Sequence, residues 1–132
     1  MFDRWTEPRL LPELERQGIG MIAFSPLAQG LLTNKYLHGI PAHSRAARPT
    51  GRLRPEDITP DKLRRISELN ALAAERGQSL AQMALRWVLR DKRVTSVLVG
   101  ASSAEQLLDS LGALDSPDFS SDELQRIEQI LA

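Results

Sequence analysis

Two short apolar runs constrain this chain more than any other feature. Gly20-Met21-Ile22-Ala23-Phe24 and Val94-Thr95-Ser96-Val97-Leu98-Val99 have the length, flanking turns and β-branched content of buried strands. Between them lie helical patterns, so the two strands are expected to run parallel, with helices covering the outside. Two strands cannot make a stable parallel sheet by themselves, because both edges stay unpaired. A closed (β/α) barrel removes that problem but needs about 250 residues, and the chain has 132. The sequence therefore reads as α/β and as part of a larger sheet, completed by further chain or by a partner.

Helical signals fill most of the rest. Glu7 through Arg16 carries Leu10, Leu11 and Leu14 at helical spacing behind Pro8, and Gly18 and Gly20 end it. Thr59-Pro60-Asp61 has the cap, the first-turn proline and the acid of a helix start. Leu63, Ile66, Leu69 and Ala73 supply that helix's buried face, and Gly77 stops it. Ser79 with Gln82 predicts a capping box before the stripe Leu80, Met83, Ala84, Trp87, Val88. Leu107, Leu108, Leu111 and Leu114 line one side of a helix after the second strand, and Ser120 with Glu123 caps a last one. Residues 26–58 read as a long loop, broken by Gly39, Pro41, Pro49, Gly51 and Pro55 and locally basic through Arg45, Arg48, Arg52 and Arg54. A connection of that length points to a functional lid or to disorder.

Composition removes several functions. Seventeen basic and seventeen acidic residues cancel, which leaves no broad field for nucleic acid. There is no cysteine and there are two histidines, His38 and His43, without a supporting acid cluster, so thiol chemistry and a zinc site are not expected. No run of about 20 apolar residues spans a bilayer and Met1–Arg9 lacks a signal-peptide core. A cytoplasmic location is the default expectation.

The chemistry-bearing residues gather where the strands end, the side on which parallel α/β proteins bind ligands. After the second strand, Gly100-Ala101-Ser102-Ser103 opens a helix whose first N–H groups, residues 102–105, favour an anion, with Gln106 one turn on. Ordinary helix capping would use the same serines. After the first strand, Ser25-Pro26-Leu27-Ala28-Gln29-Gly30 combines a stiff exit with a permissive glycine. Lys35 is a mobile point charge beyond it, and Arg45 a fork suited to phosphate oxygens. A solvated surface loop is the plain alternative. Together the two segments suggest an extended phosphorylated ligand. Trp87 is expected in the core, Trp5 at a pocket mouth or on a barrel exterior, and Tyr36 in packing or on the surface rather than in catalysis.

Several motifs in order resemble one family. Ile22-Ala23-Phe24-Ser25-Pro26-Leu27-Ala28-Gln29-Gly30-Leu31-Leu32-Thr33-Asn34-Lys35-Tyr36 resembles the seventh strand and following loop of aldo-keto reductases. Gly39-Ile40-Pro41, Ser44-Arg45 and Ser79 through Leu89 continue the likeness. Val97 through Leu108 resembles the eighth strand and cofactor helix, and Met1–Trp5 the segment after strand six. The match is nearest to the branch of potassium-channel β subunits and bacterial glyceraldehyde-phosphate reductases. The resemblance implies the C-terminal portion of a (β/α)8 TIM barrel across residues 1–132: strands 7 and 8, their helices and a C-terminal helix.

It also implies NADPH as cofactor and a small-molecule carbonyl as substrate. By the likeness, Ser25, Pro26, Leu27, Gln29 and Gly30 run beside the nicotinamide ribose and pyrophosphate. Thr33, Lys35 and Arg45 hold the phosphate bridge, Gly100 and Ser102 meet the adenosine phosphate with Gln106, and Asp109 and Ser110 reach the adenine. Asp109-Ser110 departs from the more usual Glu-Asn pair. The family's catalytic tyrosine, lysine, aspartate and histidine precede the matched segments, and Tyr36 corresponds to a loop tyrosine. The chain by itself is thus expected to be inactive, a reductase segment with unpaired edges prone to self-association. The alternative is a nucleotide-binding or assembly module that completes its sheet with a partner chain.

Overall fold

The computed structural model describes residues 1–132. Helix α1 (Thr6–Arg16) leads into strand β1 (Met21–Phe24). Then follow four single 3-10 turns, helix α2 (Pro60–Glu75), helix α3 (Leu80–Leu89), strand β2 (Val94–Leu98), helix α4 (Ala104–Leu111) and helix α5 (Ser121–Leu131). The strands pair in parallel, with Ile22 opposite Ser96, Ala23 opposite Val97 and Phe24 opposite Leu98, and an irregularity after Met21. They form a two-stranded sheet, so each has one unpaired edge.

Local signals set the helix boundaries. The Thr59 hydroxyl accepts from the Lys62 N–H at 3.3 Å. At α3, the Ser79 Oγ accepts from the Gln82 N–H while the Gln82 Oε1 accepts from the Ser79 N–H, both at 3.1 Å. The same reciprocal box joins Ser120 and Glu123. Each satisfies donors that the first helical turn leaves free.

The core lies among α2, α3, α5 and the loop after β1. Ile66, Leu69, Leu72, Met83, Trp87 and Ile127 meet there, and Leu31, Leu32, Tyr36, Ala46 and Leu53 anchor the loop onto them. The segment 26–58 is therefore a folded excursion pinned at intervals, rather than an open connection. Arg90 and Arg4 stack over Trp87, 3.6 and 5.1 Å from the ring centroid. Arg76 links the end of α2 to the start of α5. It donates to the Glu123 Oε1 at 2.5 Å and the Pro117 carbonyl at 2.8 Å, and lies over Phe119.

One expectation is corrected. The strands were read as buried, yet Ile22, Phe24 and Leu98 are exposed, Phe24 by 77% and Leu98 by 60%. The leucine face of α4 is exposed as well. The apolar patterns are those of covered elements, but among these residues nothing reaches that side of the sheet.

Candidate functional site

The exit from β1 adopts a backbone that side chains rarely accept. Ser25, Ala28 and Gln29 have φ of 51°, 47° and 63°, and Gly30 has 96°. Each non-glycine residue in the left-handed region costs of order 1 kcal/mol. The surroundings over-determine the shape. The N–H groups of Ala28 and Gly30 donate to the carbonyls of Ser25 and Leu27, at 3.0 and 2.9 Å. Pro26, Leu31 and Leu32 are buried. A Cβ on Gly30 would touch the Tyr36 ring at 3.8 Å, so Tyr36 supports the turn from below. The Thr33 Oγ1 donates to the Gly30 carbonyl at 2.7 Å and accepts from the Lys35 N–H at 3.1 Å. This leaves the Lys35 side chain exposed at the rim.

The second wall is the start of α4. The Ser103 Oγ caps the Gln106 N–H at 3.3 Å. The Ser102 N–H and Oγ both donate to the Gln106 Oε1, at 3.0 and 2.9 Å. The Ser103 hydroxyl and the Glu105 N–H also hold the Glu105 carboxyl below its ordinary range. The donors at this terminus, expected to be free, are thus partly occupied by the chain's own Gln106 and Glu105. A carboxylate and an amide oxygen fill the positions that an incoming anion would take.

Both walls face one groove of about 660 Å³. Ser25, Leu27, Gln29, Gly30, Thr33, Lys35 and Arg45 line it from the β1 side, and Gly100, Ser102, Gln106, Asp109 and Ser110 from the β2 side. Pro26 alone of the expected set lies elsewhere, lining an apolar groove of about 500 Å³ beside α1 and β1. Trp5, the undecided aromatic, is exposed at that second groove.

The charges are divided. Lys35, Arg45 and Arg48 occupy the loop wall, and Glu105 and Asp109 the α4 wall. Arg45 spans the gap, its Nη2 3.9 Å from where a Cβ on Gly100 would stand. Asp109 is engaged structurally as well. It accepts from the Ser79 Oγ and the Gln82 Nε2, both at 3.0 Å, tying α4 to the capping box of α3. Ser110 turns back to the Gln106 carbonyl at 2.9 Å. Sequence reasoning missed Asn34, Asn70 and Glu105 in the groove, and noted Arg48 only as part of a basic stretch. Asn70 had one available signal, a polar position on the otherwise periodic α2.

The model of the Aldo/keto reductase family matches residues 1–132. The chain belongs to the aldo/keto reductase family. This chain is 51% identical over 136 aligned residues to the L-glyceraldehyde 3-phosphate reductase of Escherichia coli O157:H7, covering 100% of this chain and 39% of that protein. A probable voltage-gated potassium channel subunit beta of Oryza sativa subsp. japonica is 40% identical, over 83% of this chain and 34% of its own length. A glycerol dehydrogenase structure from Gluconobacter oxydans superposes with a TM-score of 0.78 at 26% identity, covering 99% of this chain and 39% of that one. The chain thus spans roughly two fifths of these relatives' length, and its α/β architecture is that of a partial (β/α)8 barrel. None of its helices is long and apolar enough to cross a membrane.

Within this family segment, Tyr36 is buried and its hydroxyl has no partner. A proton donor must reach the carbonyl it protonates. Tyr36 packs beneath Gly30, the first of the two placements, packing or surface, that the sequence left open.

Proposed function

We propose that this chain forms the cofactor cradle of an NADPH-dependent carbonyl reductase acting in the cytoplasm, with the catalytic residues supplied from outside these 132 residues. One observation carries the reading. A single groove at the C-terminal ends of two adjacent parallel strands joins a cationic loop wall to a helix N-terminus. Ligands of parallel α/β proteins bind at that end, and a dinucleotide needs anion contacts at separated points.

The residues present fit such a ligand. Gly100 leaves open backbone, with only the Arg45 guanidinium approaching the position a side chain would fill. Ser25 through Gly30 shape the floor, Lys35 and Arg45 meet phosphate oxygens from above, and Ser102 and Gln106 meet them from the helix start. Asp109 and Ser110 border the adenine end, and the hydrogen bonds of Asp109 to α3 make it a support for that wall first. When bound, NADPH supplies hydride to a carbonyl carbon. The reductases at 50–51% identity are named for L-glyceraldehyde 3-phosphate, so a small hydroxylated or phosphorylated aldehyde is the substrate class proposed here.

Titrating the purified chain with NADPH while following the dinucleotide's fluorescence tests the reading. Saturable binding, without reduction of DL-glyceraldehyde or its 3-phosphate by the chain itself, is expected. Carbonyl reduction by the isolated chain would refute the division of labour, and absence of any NADPH binding would refute the cradle.

A further inference from the structure

Away from Gly100, the groove is closed by three helices. α2 contributes Asn70, α3 contributes Ser79, Leu80 and Ala81, and α4 contributes Asp109 and Ser110. From its cap at Ser103 to Ser110, α4 covers about 10 Å of helix axis. A nucleotide whose phosphate sits at the start of α4 therefore lays its base against this end. Leu80 and Ala81 are buried and give the ring an apolar flank. The edge of the ring needs more, because an adenine presents an amino donor beside a ring-nitrogen acceptor, and leaving such groups unpaired is costly.

The polar groups of α3 and α4 at this end are spent on the protein. The Asp109 carboxylate accepts from the Ser79 Oγ and the Gln82 Nε2, and the Ser110 hydroxyl donates to the Gln106 carbonyl. Asn70 takes no part in this network. Leu69 and Leu72 beside it are buried in the core, which fixes the face of α2 and leaves the half-buried amide lining the groove. An amide offers one acceptor and one donor side by side, the pairing that matches adenine N6 and N7.

We propose that Asn70 reads the adenine of the bound dinucleotide, its Oδ1 accepting from the exocyclic amino group and its Nδ2 donating to N7. Asn70 thereby sets the base specificity of the groove. The inference rests on the dinucleotide reading and adds the residue that discriminates the base. Hypoxanthine carries a carbonyl oxygen where adenine carries its amino group, so the amide cannot satisfy both positions of that ring at once.

Fluorescence titration of the full chain compares NADPH with reduced nicotinamide hypoxanthine dinucleotide phosphate, which differs only at that position. The parent should prefer NADPH about tenfold. Asn70→Leu and Asn70→Ala, the second adding no bulk, should lower that preference to less than about twofold. They should do so by weakening NADPH while leaving the hypoxanthine form unchanged, with circular dichroism and urea midpoint kept. Asn34→Ala, on the loop wall of the same groove, should preserve the preference. Equal binding of both dinucleotides by the parent would overturn the proposal. So would a preference that survives in both Asn70 variants, or an equal loss of both ligands, which would make Asn70 a support for the wall. Binding of neither dinucleotide by the parent would sink the cradle itself and this inference with it.

Discussion

Removing one guanidinium tests the cradle quantitatively. Arg45 begins a 3-10 turn between buried Ser44 and Ala46, and its exposed side chain reaches across the groove toward Gly100. A hydrogen bond to a charged group contributes about 1.5–3 kcal/mol. At this exposed rim, screening over a Debye length of about 8 Å holds the contribution to the lower half of that range. Arg45→Met should therefore weaken NADPH binding about tenfold to fortyfold and flatten its salt dependence. Arg45→Lys should recover only part of the loss, because a point charge replaces a two-pronged donor. Gly51→Ala should reproduce much of it without changing charge. The added Cβ would stand 2.3 Å from the Arg45 carbonyl and 3.1 Å from that of Arg48, forcing both cations to move. Fluorescence titration at two ionic strengths measures all three, with Arg52→Met, outside the groove, as control. If Arg45→Met changes affinity less than about twofold, or Arg52→Met weakens binding equally, the geometric reasoning fails.

Other outcomes follow from contacts outside that wall. Arg76→Ala removes a side chain only 4% exposed, together with its bonds to Glu123 and Pro117. It should lower stability in urea by about 2–4 kcal/mol; a change within experimental error would show that α5 does not depend on this link. Glu105→Gln removes the carboxylate at the anion end of α4 and should tighten NADPH binding about twofold, whereas weaker binding would show the acid to be a ligand contact. The Arg93 guanidinium holds Asp91 down to about 2 from its ordinary 3.8. The folded pKa is the lower one, so the stabilisation is complete above about pH 4 and disappears as pH falls toward 2. Urea midpoints across that window should fall for the parent and flatten for Asp91→Asn; identical acid limbs would deny the pair any role.

What the sequence disclosed depended on the range of each interaction. The boxes of Ser79 with Gln82 and Ser120 with Glu123 are three-residue events, and their spacing alone announced them. Strand pairing was legible because apolar β-branched runs separated by helices leave few other arrangements. The exposure of Phe24 and Leu98 was not, since a strand's pattern records what it was built to meet and not whether that partner is present. The left-handed backbone at Ser25, Ala28 and Gln29 carries no residue signal, as only Gly30 in that run announces such a conformation. Asp109 and Arg76 join residues about thirty to fifty positions apart; pairing at that distance becomes visible only once α2, α3, α4 and α5 are packed.

Amide chemical shifts recorded during an NADPH titration test the central claim most directly. Binding in the shared groove predicts saturable shifts at Gly30, Lys35 and Arg45 together with Gly100 and Ser102, all fitting one dissociation constant. Shifts confined to Trp5 and Ile22 beside the apolar groove, or movement of one wall while the other stays fixed, would contradict it.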